Sequence, residues 1–244
     1  FPLPAYCFQR KRGNQMADTL SKSASDQLVA EIRGLGQTQG LNAVFTTFLE
    51  LMATSLAAVL DPLNQEERNA RHDEIVSGLP SEVVSSYARM CALMALAVRE
   101  HVDDPCDILG KIYHELRLNN EWNGQFFSPD DICRMMAMIV NPVDDKHIKE
   151  NGYVTINDPT CGSGAMLIGS IWAMKQRGID LKKECLLVGQ DIDIRCVWMA
   201  YIQLCLYEIP AIVIHANTLT MEEWSYWYTP YSLPLITKKE DAHE

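Results

Sequence analysis

The sequence predicts an α/β protein in which a helical N-terminal domain is followed by a doubly wound sheet. Residues 16–120 carry apolar side chains at helical spacing and no alternating strand pattern. After residue 124, short apolar runs alternate with helical stretches, and the connections between them are short. Such a strand–helix repeat is typical of a parallel sheet with helices on both faces. With 244 residues, 48% of them hydrophobic, the chain can bury a core without disulfides or metal.

The first half is predicted to be entirely helical. A short apolar stripe at residues 28–35 predicts a first helix that ends at the glycines within and after it. Residues 41–60 are apolar nearly all round, which predicts a buried helix that ends at Asp61-Pro62. Helical periodicity predicts three more helices, over residues 64–77, 82–101 and 107–116.

The second half is predicted to alternate helices and strands. Ser128-Pro129-Asp130-Asp131 is typical of a helix start, with serine at the N-cap, proline in the first turn and acids beside the helix dipole. The elements that follow are a strand at 153–157, a glycine turn at 161–164, a helix at 165–177, a strand at 185–189, a helix at 194–207 and a strand at 211–215. The boundary between the two halves is expected near Asn119–Gly124.

The charge of the chain argues against a free-standing DNA-binding protein. Its net charge is −11, from 21 Lys and Arg against 32 Asp and Glu, and its one basic run is Arg10-Lys11-Arg12. Neutralising phosphates supplies much of the affinity of DNA-binding proteins, which usually show a basic face. Any contact with nucleic acid is therefore expected to need another subunit or a small local patch.

Cysteine and histidine usage predicts a reduced, cytoplasmic protein without a metal site. The eight cysteines form no CxxC pair, several lie in apolar helical patterns, and the six histidines are scattered. No apolar stretch is expected to reach the ~18 residues of a membrane span. Residues 1–15 lack the order of a signal peptide. We expect them to be an extension that was added in cloning or is disordered, with Met16 as the natural start.

The first candidate site is the turn from Asp158 to Gly164, between the first strand and the next helix. Ligands of doubly wound folds bind outside the carboxyl ends of the strands, and glycine lets the backbone approach them closely. Asp158 can accept a hydrogen bond or pair with a cationic group. The spacing is not GxGxxG and no Lys-Ser/Thr follows, which disfavours a nucleotide phosphate loop. An ordinary strand-to-helix turn is the alternative.

The second candidate site is the acidic pair at the end of the second predicted strand. An acid at this position typically holds ribose hydroxyls, because a carboxylate can accept two hydrogen bonds from a diol. Asp191 lies directly at the strand end. Asp193 is expected to complement the dipole of the following helix instead.

Four motifs then occur in order, NGQFFSP at 123–129, DPTCGSGAMLIG at 158–169, GQDID at 189–193 and HANTLT at 215–220. Together they resemble the N-6 adenine DNA methylase family, in particular the methylation (M) subunit of type I restriction–modification systems. The resemblance covers residues 100–220 well and the earlier helices loosely. It implies a helical domain over 16–120 and a Rossmann-like S-adenosylmethionine-dependent methyltransferase core over 121–220. An aromatic, then charged tail is expected over 221–244.

The resemblance also implies which residues bind S-adenosylmethionine or S-adenosylhomocysteine. Asp191 would hold the ribose, Ile192 would contact the adenine ring, and Asn217 would meet the adenine amine. The remaining implied cofactor residues are Phe126, Phe127, Ser128 and Pro129 beside the methionine and adenosine, and Asp158, Pro159, Thr160, Cys161, Gly162 and Gly164 at the methionine moiety. Core packing is the alternative for the two phenylalanines. No catalytic residue and no metal ligand is identified.

One motif of the family is absent from the sequence. The family carries Asn-Pro-Pro-Phe/Tyr after its fourth strand, and this motif holds the adenine that is flipped out of the duplex. Here only Thr229-Pro230-Tyr231 gives a faint likeness, no fourth strand is predicted, and the core is expected to be truncated at its C-terminus. The aromatic residues at 224–231 either stack on bases or, as we favour, cover a sheet edge or a partner.

Three functions remain open from the sequence. The first is an adenine-specific DNA methyltransferase that acts with a specificity subunit or another partner. The second is a cofactor-binding relative that lost catalysis and serves a regulatory role. The third is an interaction protein that keeps the motifs only as part of its fold. The intact Asp158, Gly162, Gly164 and Asp191 argue against the third, and the absent motif argues against catalysis by this chain alone.

Overall fold

The computed structural model describes residues 22–61, 63–118, 128–140, 148 and 152–236. The first half contains α1 (Ala24–Gln39), α2 (Leu41–Leu60), α3 (Gln65–Ser77), α4 (Ser81–Glu100) and α5 (Ile108–Glu115). The second half contains α6 (Asp130–Val140), β1 (Val154–Asp158), α7 (Ala165–Gln176), β2 (Cys185–Asp191), α8 (Ile194–Leu206), β3 (Ala211–Asn217) and β4 (Glu222–Tyr228). These bounds confirm the α/β fold with a helical N-terminal part.

Helix α1 is longer than the sequence predicts. It begins with a capping box between Ser23 and Asp26, and it continues through Gly34 and Gly36 to Gln39. The prediction was wrong for Gly34 and Gly36, which lie inside the helix, and is confirmed for Gly40, which is its C-cap. The helix packs on α2 and α4, and this packing outweighs the cost of ~1 kcal/mol for each glycine in a helix interior.

Two helices, Leu41–Val59 and Ser81–Glu100, are long and apolar enough to cross a membrane by length and composition alone. On that criterion, the prediction that no stretch reaches this length was wrong. The buried core helix of a globular protein meets the same criterion, and α2 buries Phe45, Phe48 and Leu49 almost completely. The all-round apolar pattern of α2 is thus explained by packing on several neighbours at once.

The four strands form one mixed sheet in the order β1-β2-β3-β4. Strands β1, β2 and β3 are parallel, with Asp158 beside Gly189 and Asp191 beside His215. Because the strands follow one another in a single direction, right-handed crossovers place α7 and α8 on the same face of the sheet. The carboxyl ends of the three parallel strands therefore share one edge.

Strand β4 corrects the prediction that no fourth strand follows β3. Residues 222–228 pair antiparallel with β3 and cover its outer edge. The side chain of Trp227 is 2% exposed and contacts Trp198 and Tyr201 of α8, at ring-centroid distances of 6.4 and 5.3 Å. This agrees with the favoured interpretation that the aromatic segment covers a sheet edge.

The helical half and the sheet share one hydrophobic core. Helix α2 packs on α8, and buried residues from both halves form a single continuous cluster. On α3, the guanidinium of Arg68 lies 3.9 Å from the centroid of a Trp227 ring and donates to the carbonyl of Tyr226 at 3.3 Å. The predicted boundary near 119–124 lies outside the described residues.

Candidate functional site

Three polar side chains stand at the shared carboxyl edge of the sheet. Asp158, Asp191 and Asn217 are the last residues of β1, β2 and β3. Because parallel strands end together, the register brings the loops that follow them to one place. Candidate residues were predicted from the sequence at all three of these ends.

The turn after β1 is fixed by its backbone. The amide of Cys161 donates to the carbonyl of Gln190 at 2.8 Å, and the amide of Gly162 donates to Asp191 Oδ2 at 2.9 Å. Gly162 and Gly164 have φ values of +55° and +91°, a region that strongly favours glycine. A Cβ at Gly164 would lie 3.2 Å from the Cβ of Ala200, so the turn also approaches α8 closely.

Asp191 joins the ends of β1 and β2. Its Oδ2 accepts from Gly162, and its Oδ1 accepts from the amide of Asp193 at 2.9 Å. Burial raises the pKa of Asp191, and these backbone donors oppose that shift. Asp193 instead caps α8, where its carboxylate accepts from the amide of Arg195 at 2.9 Å. The prediction that Asp193 serves the start of the following helix is confirmed.

Asp158 and Cys161 lie beside each other in the turn but differ chemically. Asp158 Oδ1 accepts from the amide of Thr160 at 3.2 Å, and burial raises the pKa of Asp158. Cys161 is 5% exposed, and burial, reinforced by the charges of Asp191 and Asp158, raises the pKa of its thiol well above the usual value. A neutral buried thiol is no nucleophile, so Cys161 contributes packing.

Ile192 is an exposed apolar residue directly after Asp191. Its side chain is 60% exposed, and its carbonyl lies 3.1 Å from Nε2 of His215. The ring of His215 in turn contacts Trp224, with centroids 4.6 Å apart. An apolar side chain held at the strand edge in this way can contact a flat ring.

Asn217 has a structural contact at the end of β3. Its Oδ1 accepts from the amides of Leu219 and Thr220, at 3.0 and 3.3 Å, and so closes the turn to β4. Its backbone carbonyl also accepts from Met221 at 2.8 Å. The acceptor oxygen predicted to meet a ligand amine is thus already bonded within the turn.

The other predicted cofactor residues are either exposed or lie outside the described residues. Ser128 and Pro129 are exposed immediately before α6, and Pro159 and Thr160 are exposed in the turn after β1. The carbonyl of Pro159 accepts from Thr218 Oγ1 at 2.6 Å, which ties that turn to the end of β3. The predicted contacts of Phe126 and Phe127 lie outside the described residues.

Three buried polar residues behind the turn were not singled out from the sequence. Asp107 at the start of α5, Ser163 in the turn and Gln203 on α8 form one hydrogen-bonded group. The only sequence signal was that Asp107 stands at the start of a predicted helix. Among the residues that the structure describes, no group of three or more His, Cys, Asp or Glu could hold a metal ion.

Comparison with known families gives one match that covers most of this region. The model of the N-6 DNA methylase family matches residues 104–239, which is more than half of the chain. No curated protein is significantly similar to the chain.

Several solved structures are similar to the chain, among them two assigned to the methyltransferases. A Listeria monocytogenes protein assigned to the class I S-adenosylmethionine-dependent methyltransferases shares 18% identity, with a TM-score of 0.41 over 80% of this chain and 54% of that one. A type I restriction–modification system methyltransferase subunit from Streptococcus thermophilus shares 15% identity, with a TM-score of 0.42 over 83% of this chain and 59% of that one. The chain thus spans less than two thirds of either protein.

Proposed function

Because the chain belongs to the N-6 DNA methylase family, we propose that the carboxyl edge of its sheet binds S-adenosylmethionine for methyl transfer to adenine in DNA. One observation carries the proposal. The carboxylate of Asp191 is anchored at the end of β2 by the backbone of the glycine turn, and the exposed Ile192 follows it. A fixed acceptor beside an apolar surface suits a nucleoside, whose ribose needs the first and whose base needs the second.

The parts of the site suit different parts of the cofactor. In this proposal Asp191 accepts from the ribose hydroxyls and Ile192 contacts the adenine ring. The turn from Asp158 to Gly164 lies under the methionine moiety, where the Asp158 carboxylate attracts its ammonium group. Phe126, Phe127, Ser128 and Pro129 are proposed to contact the methionine and adenosine of the cofactor.

Methyl transfer itself needs positioning more than strong acid–base chemistry. When bound, S-adenosylmethionine supplies the methyl group. The protein must hold the accepting amine in line with it and exclude water. The 244 residues contain no Asn-Pro-Pro-Phe/Tyr. We therefore propose that the contacts that hold the adenine, and most of the basic DNA-binding surface, lie beyond these 244 residues, that the protein acts with a partner such as a specificity subunit, and that the assembly works in the cytoplasm.

A second candidate function applies if the whole protein lacks the Asn-Pro-Pro-Phe/Tyr motif. A chain that binds the cofactor but holds no base would serve a regulatory or interaction role. The two candidates differ in one measurable respect, which is transfer of label from S-adenosylmethionine to DNA. Label in N-6 methyladenine, with the purified chain alone or with its partner, would rule out the second candidate. Binding without transfer under both conditions would favour it.

Calorimetric titration tests the cofactor site directly. We expect micromolar binding of S-adenosylmethionine and S-adenosylhomocysteine. Binding should weaken at least tenfold, or about 1.4 kcal/mol, in Asp191→Asn and several-fold in Ile192→Ala. Ile192 is exposed, so its truncation should leave the fold intact. Val59→Ala, at another exposed aliphatic residue on α2, is the matched control and should bind like the parent. Equal binding by all four proteins would refute the assignment.

Binding is also expected to depend on pH. Asp191 must be ionised to accept fully from the ribose, and burial raises its pKa above the ordinary value of about 3.9. Binding should thus be complete above this raised pKa and should be lost as the pH falls through it. Burial raises the pKa of Asp158 too, so its contribution to cofactor binding should also be lost as the pH falls.

The measurement is the dissociation constant of S-adenosylhomocysteine between about pH 7.5 and pH 4.5. At the acidic end of this range, the dissociation constant should rise less steeply with falling pH in Asp191→Asn than in the parent, because the variant has one group fewer to protonate. If the dissociation constant of the variant rises as steeply as that of the parent, other groups control the pH dependence.

A further inference from the structure

A buried carboxylate behind the glycine turn connects the helical half to the proposed cofactor site. Asp107 is 3% exposed and caps α5 by accepting from the amide of Gly110 at 2.9 Å. The same Oδ1 accepts from Gln203 Nε2 at 2.9 Å, and Oδ2 accepts from the hydroxyl of Ser163. A single side chain from the first half thus reaches into the turn after β1.

Gln203 reinforces this link from α8. Its Oε1 accepts from the amides of Ile108 and Leu109, at 2.8 and 3.1 Å. Its Nε2 donates to the carbonyl of Ser163 at 2.9 Å as well as to Asp107. Both the hydroxyl and the carbonyl of Ser163 are therefore held by residues outside the turn. The glycines on either side of Ser163, Gly162 and Gly164, are the ones with positive φ.

The backbone of Asp107 contacts the start of α6. Its amide donates to Asp130 Oδ1 at 3.0 Å, and Asp130 Oδ2 lies 2.5 Å from Lys111 Nζ. Asp130 is the first residue of α6, directly after Ser128-Pro129. Asp107 therefore contacts both predicted walls of the cofactor pocket, the glycine turn and the start of α6.

Gly110 packs closely against this group. A Cβ at Gly110 would overlap the Asp107 carboxylate and would lie 2.7 Å from Ser163 Oγ. Burial raises the pKa of Asp107, and the three donors oppose that shift. A buried acceptor that loses its donors costs about 1–3 kcal/mol, so the hydrogen bonds hold one another in place.

We propose that Asp107 is a positioning residue for the cofactor site, which fixes the turn at Ser163 and the start of α6 at Asp130 in one arrangement. This inference rests on the proposed function, because it names the residue that sets the shape of that same site. It also gives the helical half a role in cofactor binding, since α5 belongs to that half. Asp107 does not touch the cofactor in this proposal and acts through Ser163 and Asp130.

The test compares two substitutions at Asp107. The amide introduced by Asp107→Asn keeps an oxygen for Gly110 and Gln203, and its nitrogen can donate to Ser163, whose hydroxyl then accepts. Asp107→Ala removes the three bonds of the carboxylate and leaves the backbone amide to donate to Asp130, so the substitution tests the side chain's hold on the turn. We expect S-adenosylhomocysteine to bind Asp107→Asn within about threefold of the parent and Asp107→Ala at least tenfold more weakly, which corresponds to about 1.4 kcal/mol. If Asp107→Ala fails to fold, Ser163→Ala takes its place as a smaller change. This variant should also weaken the binding of S-adenosylhomocysteine.

A control separates positioning from general loss of stability. Asp61 is also buried, at 1% exposure, and accepts from Leu63 and Asn64 at the end of α2. Asp61→Ala should lower the melting temperature while leaving the dissociation constant unchanged. If Asp107→Ala is folded and binds like the parent, or if Asp61→Ala weakens binding as much, the positioning role is overturned.

Amide hydrogen exchange without ligand distinguishes failure of this inference from failure of the proposed function. Asp107→Ala should speed exchange at residues 161–164, and Asp61→Ala should not. If the parent binds no cofactor yet the turn still loosens only in Asp107→Ala, the proposed function fails and the positioning of the turn stands. If exchange in the turn is unchanged in Asp107→Ala, the inference fails whatever the parent binds.

Discussion

Replacing Trp227 by alanine is expected to lower the free energy of unfolding by about 4–5 kcal/mol, the upper part of the range for buried aromatic truncations. The indole is 2% exposed and contacts Trp198 and Tyr201 on α8. It also faces the guanidinium of Arg68, which is itself 8% exposed. The substitution therefore creates a cavity and leaves a buried cation without its aromatic partner.

The same strand supplies the control for this prediction. Trp224 is 49% exposed, and Trp224→Ala should cost less than about 1 kcal/mol. Thermal and urea unfolding of both variants measure the difference. A fall in melting temperature of about 10 °C or more is expected for Trp227→Ala in a chain of this size. Similar losses for the two variants would mean that β4 does not pack on α8 as described.

Strand β4 also shows where sequence patterns lose their predictive power. Strands β1 to β3 are short aliphatic runs between helices, so periodicity located each of them to within two residues. Residues 222–228 begin with two glutamates and contain no aliphatic side chain. Their pairing depends on one inward residue, Trp227, and on a turn closed by Asn217 without a glycine. Neither the packing of Trp227 nor the turn at Asn217 can be predicted from the local sequence pattern of residues 222–228.

The same limit applies to the candidate site, where residues at strand ends could be predicted and long-range contacts could not. Asp158 and Asp191 were located because strand ends in a parallel sheet share one edge, whereas Asn217 was named only through the resemblance to the methylase family. The group formed by Asp107, Ser163 and Gln203 was not located, because Asp107 lies 56 and 96 residues before its two partners. Hydrogen bonds over such separations depend on how α5 packs against α8. That packing is a property of the folded core.

Replacing Gly164 by alanine is expected to combine two costs. Its φ of +91° places a side chain in the left-handed region, at about 1–2 kcal/mol, and the new Cβ would lie 3.2–3.3 Å from Ala200 on α8. Together these should lower the free energy of unfolding by about 2–4 kcal/mol. The turn should also move away from α8, and cofactor binding should weaken about tenfold, or 1.4 kcal/mol.

Gly178 separates these two costs within the same protein. Its φ is +75°, and a Cβ there meets nothing within 4 Å, so Gly178→Ala carries only the backbone cost of about 1–2 kcal/mol. Its cofactor binding should equal that of the parent within twofold. If Gly164→Ala and Gly178→Ala lose equal stability and bind the cofactor equally well, the new Cβ at residue 164 is accommodated beside Ala200 at no cost. The turn would then take its shape from its own backbone, and α8 would have no part in forming the site. If only Gly164→Ala loses binding, the site depends on how closely the turn packs against α8, the same helix that provides Gln203.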